Sequence, residues 1–148
     1  MRRRCQSARF VCVAKLPDHR LAFTRKSKDR GCGVADVVPD ASAEVWGAVF
    51  EIDDRDIGSL DASEGFSPGR AQNSYTRKER HVFCDGNAEK PLTASVYIAH
   101  KESHPPLPNR VYKTLIVEGA KFWHLPAHYV AELEKIEIED TVRGGSPD

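Results

Sequence analysis

Glu64 is followed by Gly65, with Pro68-Gly69 just beyond. A glycine beside an acid lets a backbone or a substrate approach closely. Asp54 to Glu64 reads as a short helix. Asp53-Asp54 puts acids at the positive end of its dipole, Ile57 and Leu60 are three apart, and Gly65 is a natural stop. A carboxylate at the far end of that helix meets a negative local dipole. With any burial its pKa rises, which suits it to proton transfer near neutral pH. Single acids at helix ends are more often solvated, and residue type and position alone favour that plainer reading.

Other residues of chemical interest are less well arranged. His100/His104 and His124/His128 are each four apart, a spacing that on a helix can hold a metal. Pro105-Pro106 follows His104 directly, and Pro126 falls between the other two, so neither pair is expected on one helical face. Four cysteines stand at 5, 12, 32 and 84, with no C-x-x-C pair and no regular framework. They are expected as reduced, partly buried thiols, and no metal site is expected.

The elements that must position Glu64 alternate early and turn helical late. Ala8 to Ala14 reads as a strand, Leu16-Pro17-Asp18-His19-Arg20 as a turn, and Leu21 to Thr24 as the returning partner. Lys26 to Gly33 is a polar loop. Gly33 to Val38 is a strand stopped by Pro39-Asp40, and Glu44 to Ile52 is a largely buried strand. Ser74 to Phe83 and Leu92 to Ala99 form a hairpin around Asp85-Gly86-Asn87. His104 to Pro108 is a stiff extended connector. Val111, Leu115 and Glu118 share a helical face, with Tyr112, Ile116 and Gly119 beside it. Leu125-Pro126 reads as a second helix entry, and Tyr129, Val130, Leu133 and Ile136 as an apolar stripe. Glu137 to Asp148 is expected as a frayed tail, with 141–148 disordered. Together these give an α+β domain over residues 1–140, with a mostly antiparallel, barrel-like sheet and flanking helices.

Composition narrows the function classes. The 148 residues suit one compact domain, and 40% hydrophobic with 30% charged residues is ordinary globular material. Equal counts of 22 basic and 22 acidic side chains argue against a nucleic-acid binder. Residues 1–30 do hold ten Lys or Arg against two Asp. Apolar residues interrupt them at strand-like spacing, so a solvated strand face and loop is the expected reading, ahead of a nucleic-acid or membrane role. Met1-Arg2-Arg3-Arg4 has the charge of a signal n-region, but Phe10 to Ala14 is too short and mixed to follow it. No run is long enough to span a membrane, and a soluble cytoplasmic protein is expected.

Val45-Trp46-Gly47, then Leu60-Asp61-x-x-Glu64-Gly65, then Tyr75 in a strand, resembles the γ-glutamylcyclotransferase-like family. Pro105-Pro106-x-Pro108 to Tyr112, then Glu118-Gly119-Ala120 and Leu125-Pro126-x-x-Tyr129, resembles that family's C-terminal half in order and spacing. The likeness runs from Ala8 to Glu139, and its specificity comes from the pieces occurring in sequence. It implies a small barrel with flanking helices and a central pocket. It also implies conversion of a γ-glutamyl amide into 5-oxoproline and a free amine or amino acid, without metal or organic cofactor. By this resemblance Glu64 is the acid–base residue, Tyr112 a tyrosine of the substrate pocket, and Tyr75 a lining residue for which core packing accounts equally well.

Family members begin with a strand leading into a Tyr-Gly-Ser-Asn loop, whose amides would hold substrate oxygens. This sequence opens at Met1-Arg2-Arg3-Arg4-Cys5-Gln6-Ser7-Ala8, which resembles the segment after that loop. An N-terminally shortened chain is therefore expected. Two readings follow from the resemblance: a cyclotransferase acting on a small γ-glutamyl substrate, and a non-catalytic barrel that binds a γ-glutamyl-type ligand or a partner. Nucleic-acid binding through the basic first thirty residues is a third.

Overall fold

The computed structural model describes residues 7–27, 30–63 and 75–140. Runs of Val, Ala, Phe and Thr carry the first half into strands that are longer than their breakers suggest. β1 is Arg9–Lys26 and β2 is Gly33–Glu51. The expected turn at Leu16–Arg20 does not reverse the chain. Asp18 instead takes φ 60° and the strand continues. Asp tolerates the left-handed region, and a single such residue bends a strand without reversing it.

Pro39-Asp40 likewise does not stop β2. The sheet order is β2-β1-β3-β4, so β2 is terminal, and a terminal strand tolerates a residue without an N–H. Asp40 accepts from the Ser42 N–H and hydroxyl at 3.1 and 2.9 Å, with Arg20 at 3.6 Å. The two Ser42 donors, backbone first, hold this carboxyl below its ordinary value, and the Arg20 charge adds to them.

The remaining elements are α1 (Asp54–Ser63), β3 (Tyr75–Cys84), β4 (Pro91–Ala99), α2 (Arg110–Phe122) and α3 (Ala127–Glu134). The fold is thus α+β, as the sequence pattern requires. β3 and β4 pair antiparallel from Tyr75↔Ala99 to Phe83↔Pro91. Their turn has Asp85 and Gly86 both left-handed, at φ 57° and 73°. Asn87 N–H closes that turn on Cys84 C=O at 2.9 Å, inside a longer hairpin loop. β3 also pairs antiparallel with β1 through Ala14↔Cys84 and Lys15↔Phe83.

That pairing corrects the expectation of reduced thiols. Cys12 lies two residues before Ala14 on the same face, and it forms a disulfide with Cys84, with Cα atoms 5.8 Å apart. The two are 72 residues apart in sequence, and it is strand pairing that brings them together. Cys32 is a buried free thiol, and Cys5 lies outside the described residues.

The chain forms two compact units, one of Met1–Arg20 with Pro39–His100 and one of Leu21–Val38 with Lys101–Asp148. In the first, Ala14, Leu16, Leu60, Val82 and Ala99 are buried. In the second, Val117 and Ala120 of α2 and Tyr129 and Leu133 of α3 are buried, so the expected α3 stripe does face a core. On α2 the inward residues are Val117 and Ala120, while Val111 and Leu115 are exposed. Each large apolar side chain so buried contributes about 1.5–3 kcal/mol. No helix among the described residues is long and apolar enough to cross a membrane.

The ends of α2 follow from its sequence. Asn109 caps it, accepting from the Tyr112 N–H at 2.8 Å. The C-terminal end closes by Leu125 N–H to Ala120 C=O and His124 N–H to Lys121 C=O, with His124 at φ 58°. This is the Schellman pattern, with histidine where glycine is usual. The connector expected as stiff and extended packs so tightly on Gly33 that a Cβ there would lie 1.9 Å from the Pro106 carbonyl oxygen. Gly33 N–H donates to Leu107 C=O at 3.0 Å.

Residues 137–140, expected as part of a frayed tail, are instead tied to the connector and to α2. Glu139 N–H donates to Pro108 C=O, and Asp140 takes the Arg110 N–H at 3.0 Å and its guanidinium at 3.3 Å. An acid at the first residue of α2 is favoured by the helix dipole. Residues 141–148 lie outside the described residues.

Two substitutions test these backbone features. Gly33→Ala forces the Pro106 carbonyl away and is expected to destabilise the protein by about 1–3 kcal/mol, read from its urea midpoint. His124→Gly relieves a left-handed side chain and is expected to stabilise by roughly 0.5–1 kcal/mol in the same assay. A lower midpoint for the second variant would contradict the cap assignment.

Candidate functional site

Glu64 lies outside the described residues, and Ser63, the last residue of α1, immediately precedes it. What the structure does define is how α1 is held. At its start, the Ser7 hydroxyl accepts from the Asp53 N–H at 3.0 Å and donates to Asp56 Oδ2. The Ser7 N–H donates to the same oxygen at 3.3 Å. Ser7 is buried, so both sides of its hydroxyl are used, as burial demands.

At the other end, Leu60 and Asp61 turn inward. Asp61 is 3% exposed, an unusual state for a carboxylate. The Tyr97 hydroxyl donates to its Oδ1. Arg77 Nε lies 3.1 Å from the same oxygen. That Nε is buried, and its contact with Asp61 is an ion pair without the angle of a hydrogen bond. Arg77 and Tyr97 are direct cross-strand partners on β3 and β4, so a hairpin supplies both groups from one side. The carboxylate is compensated by a cation and a hydroxyl, the condition for burying it.

Tyr75, expected as a lining residue, opens β3 opposite Ala99 and is partly buried. Strand alternation puts it on the same face as Arg77. The face that meets the end of α1 therefore carries Tyr75, Arg77 and Tyr97. This arrangement can hold a helix terminus in one orientation and can present a cation beside an aromatic side chain.

Tyr112 belongs to the second unit. Its hydroxyl accepts from the Ala35 N–H at 3.0 Å. The Arg30 guanidinium lies 4.9 Å from its ring centroid, and the Phe23 ring meets it edge-on at 6.4 Å. Nearby in that unit, the fully buried Asp36 side chain accepts from Thr24 at 2.8 Å and pairs with Lys101 at 3.1 Å. Tyr112 thus ties α2 to β2. Among the described residues no three His, Cys, Asp or Glu side chains cluster so as to hold a metal ion.

Glu64, Tyr75 and Tyr112 are the site residues that the sequence suggests, and Asp61, Arg77 and Tyr97 emerge with the structure. Asp61 carries a visible signal, since it follows an apolar helix residue, Leu60, and stands three residues before Glu64 in the sequence. Arg77 and Tyr97 have none until the hairpin register places them opposite each other.

Known proteins extend this picture. The profile of the AIG2-like family matches residues 44–133. A gamma-glutamylcyclotransferase of Homo sapiens is 34% identical over 139 residues, covering 90% of this chain and 70% of that protein. The Mus musculus gamma-glutamylcyclotransferase is 33% identical over 139 residues, covering 88% and 68%. A solved structure of a gamma-glutamyl cyclotransferase superposes with a TM-score of 0.84 at 30% identity, over 99% of this chain and 85% of that one. YkqA from Bacillus subtilis, at 17% identity and a TM-score of 0.72, covering 93% of this chain and 48% of its own, shares the fold. Sequence and fold agree, and the chain belongs to the AIG2-like, γ-glutamylcyclotransferase family.

Proposed function

We propose that this protein is a γ-glutamyl cyclotransferase that converts a γ-glutamyl amide or dipeptide into 5-oxoproline and a free amine or amino acid. The observation that carries this reading is the 34% identity over 139 residues to a gamma-glutamylcyclotransferase. The substrate's own α-amine attacks its γ-carbonyl carbon, the lactam C–N bond forms, and the original amide C–N bond breaks. No water is consumed, and both reacting groups belong to one molecule. Positioning therefore supplies much of the advantage, and the chemistry needs neither metal nor organic cofactor.

Glu64 is assigned as the group that moves the protons. Its carboxylate takes a proton from the α-ammonium, which frees the nitrogen lone pair, and returns one to the departing nitrogen. The anchoring of α1 at Ser7 and Asp61 supports this assignment, because it fixes the helix that leads directly into residue 64. Tyr112 and Tyr75 are assigned to substrate contact on the same family likeness. We place the enzyme in the cytoplasm.

Release of 5-oxoproline from γ-glutamyl dipeptides tests the reaction. Glu64→Gln is expected to lower kcat by roughly 100-fold or more at unchanged stability. Activity equal to that of the unmodified protein would remove Glu64 from the mechanism. Tyr112→Phe keeps the ring and loses the hydroxyl, and KM for the dipeptide is expected to rise by about 10-fold, with a smaller change in kcat. An unchanged KM would confine Tyr112 to its contact with Ala35. Ligand binding without turnover would favour the non-catalytic reading of the same fold.

A further inference from the structure

Arg77 has a geometry that its pairing with Asp61 does not exhaust. Its Nε lies 3.1 Å from the buried carboxylate as an ion pair, while 31% of the side chain stays accessible. Neither Nη atom has a hydrogen-bond partner among the described residues. The guanidinium is therefore held by charge on its Nε side, and its Nη atoms are uncommitted there. Asp61 offsets the cost of the cation's partial burial and keeps the group beside the end of α1 before any ligand arrives. Tyr97 in turn fixes Asp61. Tyr75 stands two residues earlier on the same face of β3.

A guanidinium held in this way suits a planar anion, because parallel N–H donors match the two oxygens of a carboxylate. A γ-glutamyl group carries one such carboxylate, on the α-carbon beside the attacking amine. Ring closure leaves it intact, so it is present in substrate and product alike. Resting on the cyclotransferase reading, we infer that Arg77 binds the α-carboxylate of the γ-glutamyl group, with Asp61 and Tyr97 as positioning residues. The contact is the same before and after ring closure. It therefore contributes to affinity and to selection for a free α-carboxylate more than to the rate of the chemical step.

Calorimetric titration of the full chain with 5-oxoproline and with its carboxamide analogue tests this assignment without requiring turnover. The unmodified protein is expected to prefer the carboxylate by roughly 10- to 100-fold, the size of a charge-assisted hydrogen-bond pair. Arg77→Gln is expected to bind the two probes within about threefold of each other. Because Arg77→Gln leaves Asp61 buried without a counter-charge, a second variant guards against a folding defect. The double variant Asp61→Asn with Arg77→Gln removes both charges and is expected to lose the preference in the same way. A folded variant that keeps the original preference overturns the assignment, as does an unmodified protein that binds both probes equally. Turnover separates this inference from the reading beneath it. Arg77-dependent preference for the carboxylate without 5-oxoproline release would overturn the catalytic reading and support the Arg77 site. Full activity with a preference indifferent to Arg77 would overturn the Arg77 site alone.

Discussion

A carboxylate withdrawn from water must be met by charge or by donors, and Asp61 is where this constraint shapes the first unit. Three elements meet at its oxygens: α1 supplies the acid, β3 the guanidinium and β4 the hydroxyl. Removing one partner from such a group typically costs about 3–5 kcal/mol, more than a buried methyl contact and comparable to a large cavity. The interaction is therefore selective about geometry. α1 can end against the hairpin only in the register that brings Arg77 opposite Tyr97.

The second unit uses the same principle with different partners. Asp36 is withdrawn from water between Lys101 and Thr24, with its Oδ1 taking the Val37 N–H. The neighbouring residue, Ala35, gives its N–H to Tyr112. A strand, a connector and a helix are thereby fixed through two adjacent residues of β2. Gly33 completes the arrangement by letting the proline-rich connector pass where a side chain would collide.

Much of this was legible in the residues. The helix from Asp54, the β3–β4 hairpin around Asp85-Gly86, the proline entry to α3 and its inward stripe all follow from local signals that agree with the fold. The family likeness rests on residues found in order, and the relatives agree with it. Where local pattern and structure differ, the tertiary setting overrides the local signal. Pro17-Asp18 and Pro39-Asp40 carry turn chemistry, yet each sits inside a strand that continues on either side. Cys12 and Cys84 carry no local sign of their pairing because they are 72 positions apart. Arg77 lies in a strand whose local pattern does not mark it out, and the Tyr97 opposite it on the next strand does. Local pattern reports which element a residue occupies. Partnership across elements depends on register, which periodicity does not encode.

The disulfide has a consequence of a topological kind. Residues 12 to 84 form a closed covalent loop, and that loop contains β2, α1, Asp61, Glu64, Tyr75 and Arg77. Tyr112, α2 and α3 lie on the chain that leaves it. Closing a loop of this length removes roughly 4 kcal/mol of conformational freedom from the unfolded chain. A single peptide-bond cut anywhere within the loop would leave the two pieces linked, whereas a cut after Cys84 would release β4 and with it the Tyr97 hydroxyl. Asp61 and Arg77 thus both lie within the covalent ring, while the Tyr97 hydroxyl that meets Asp61 reaches in from outside it.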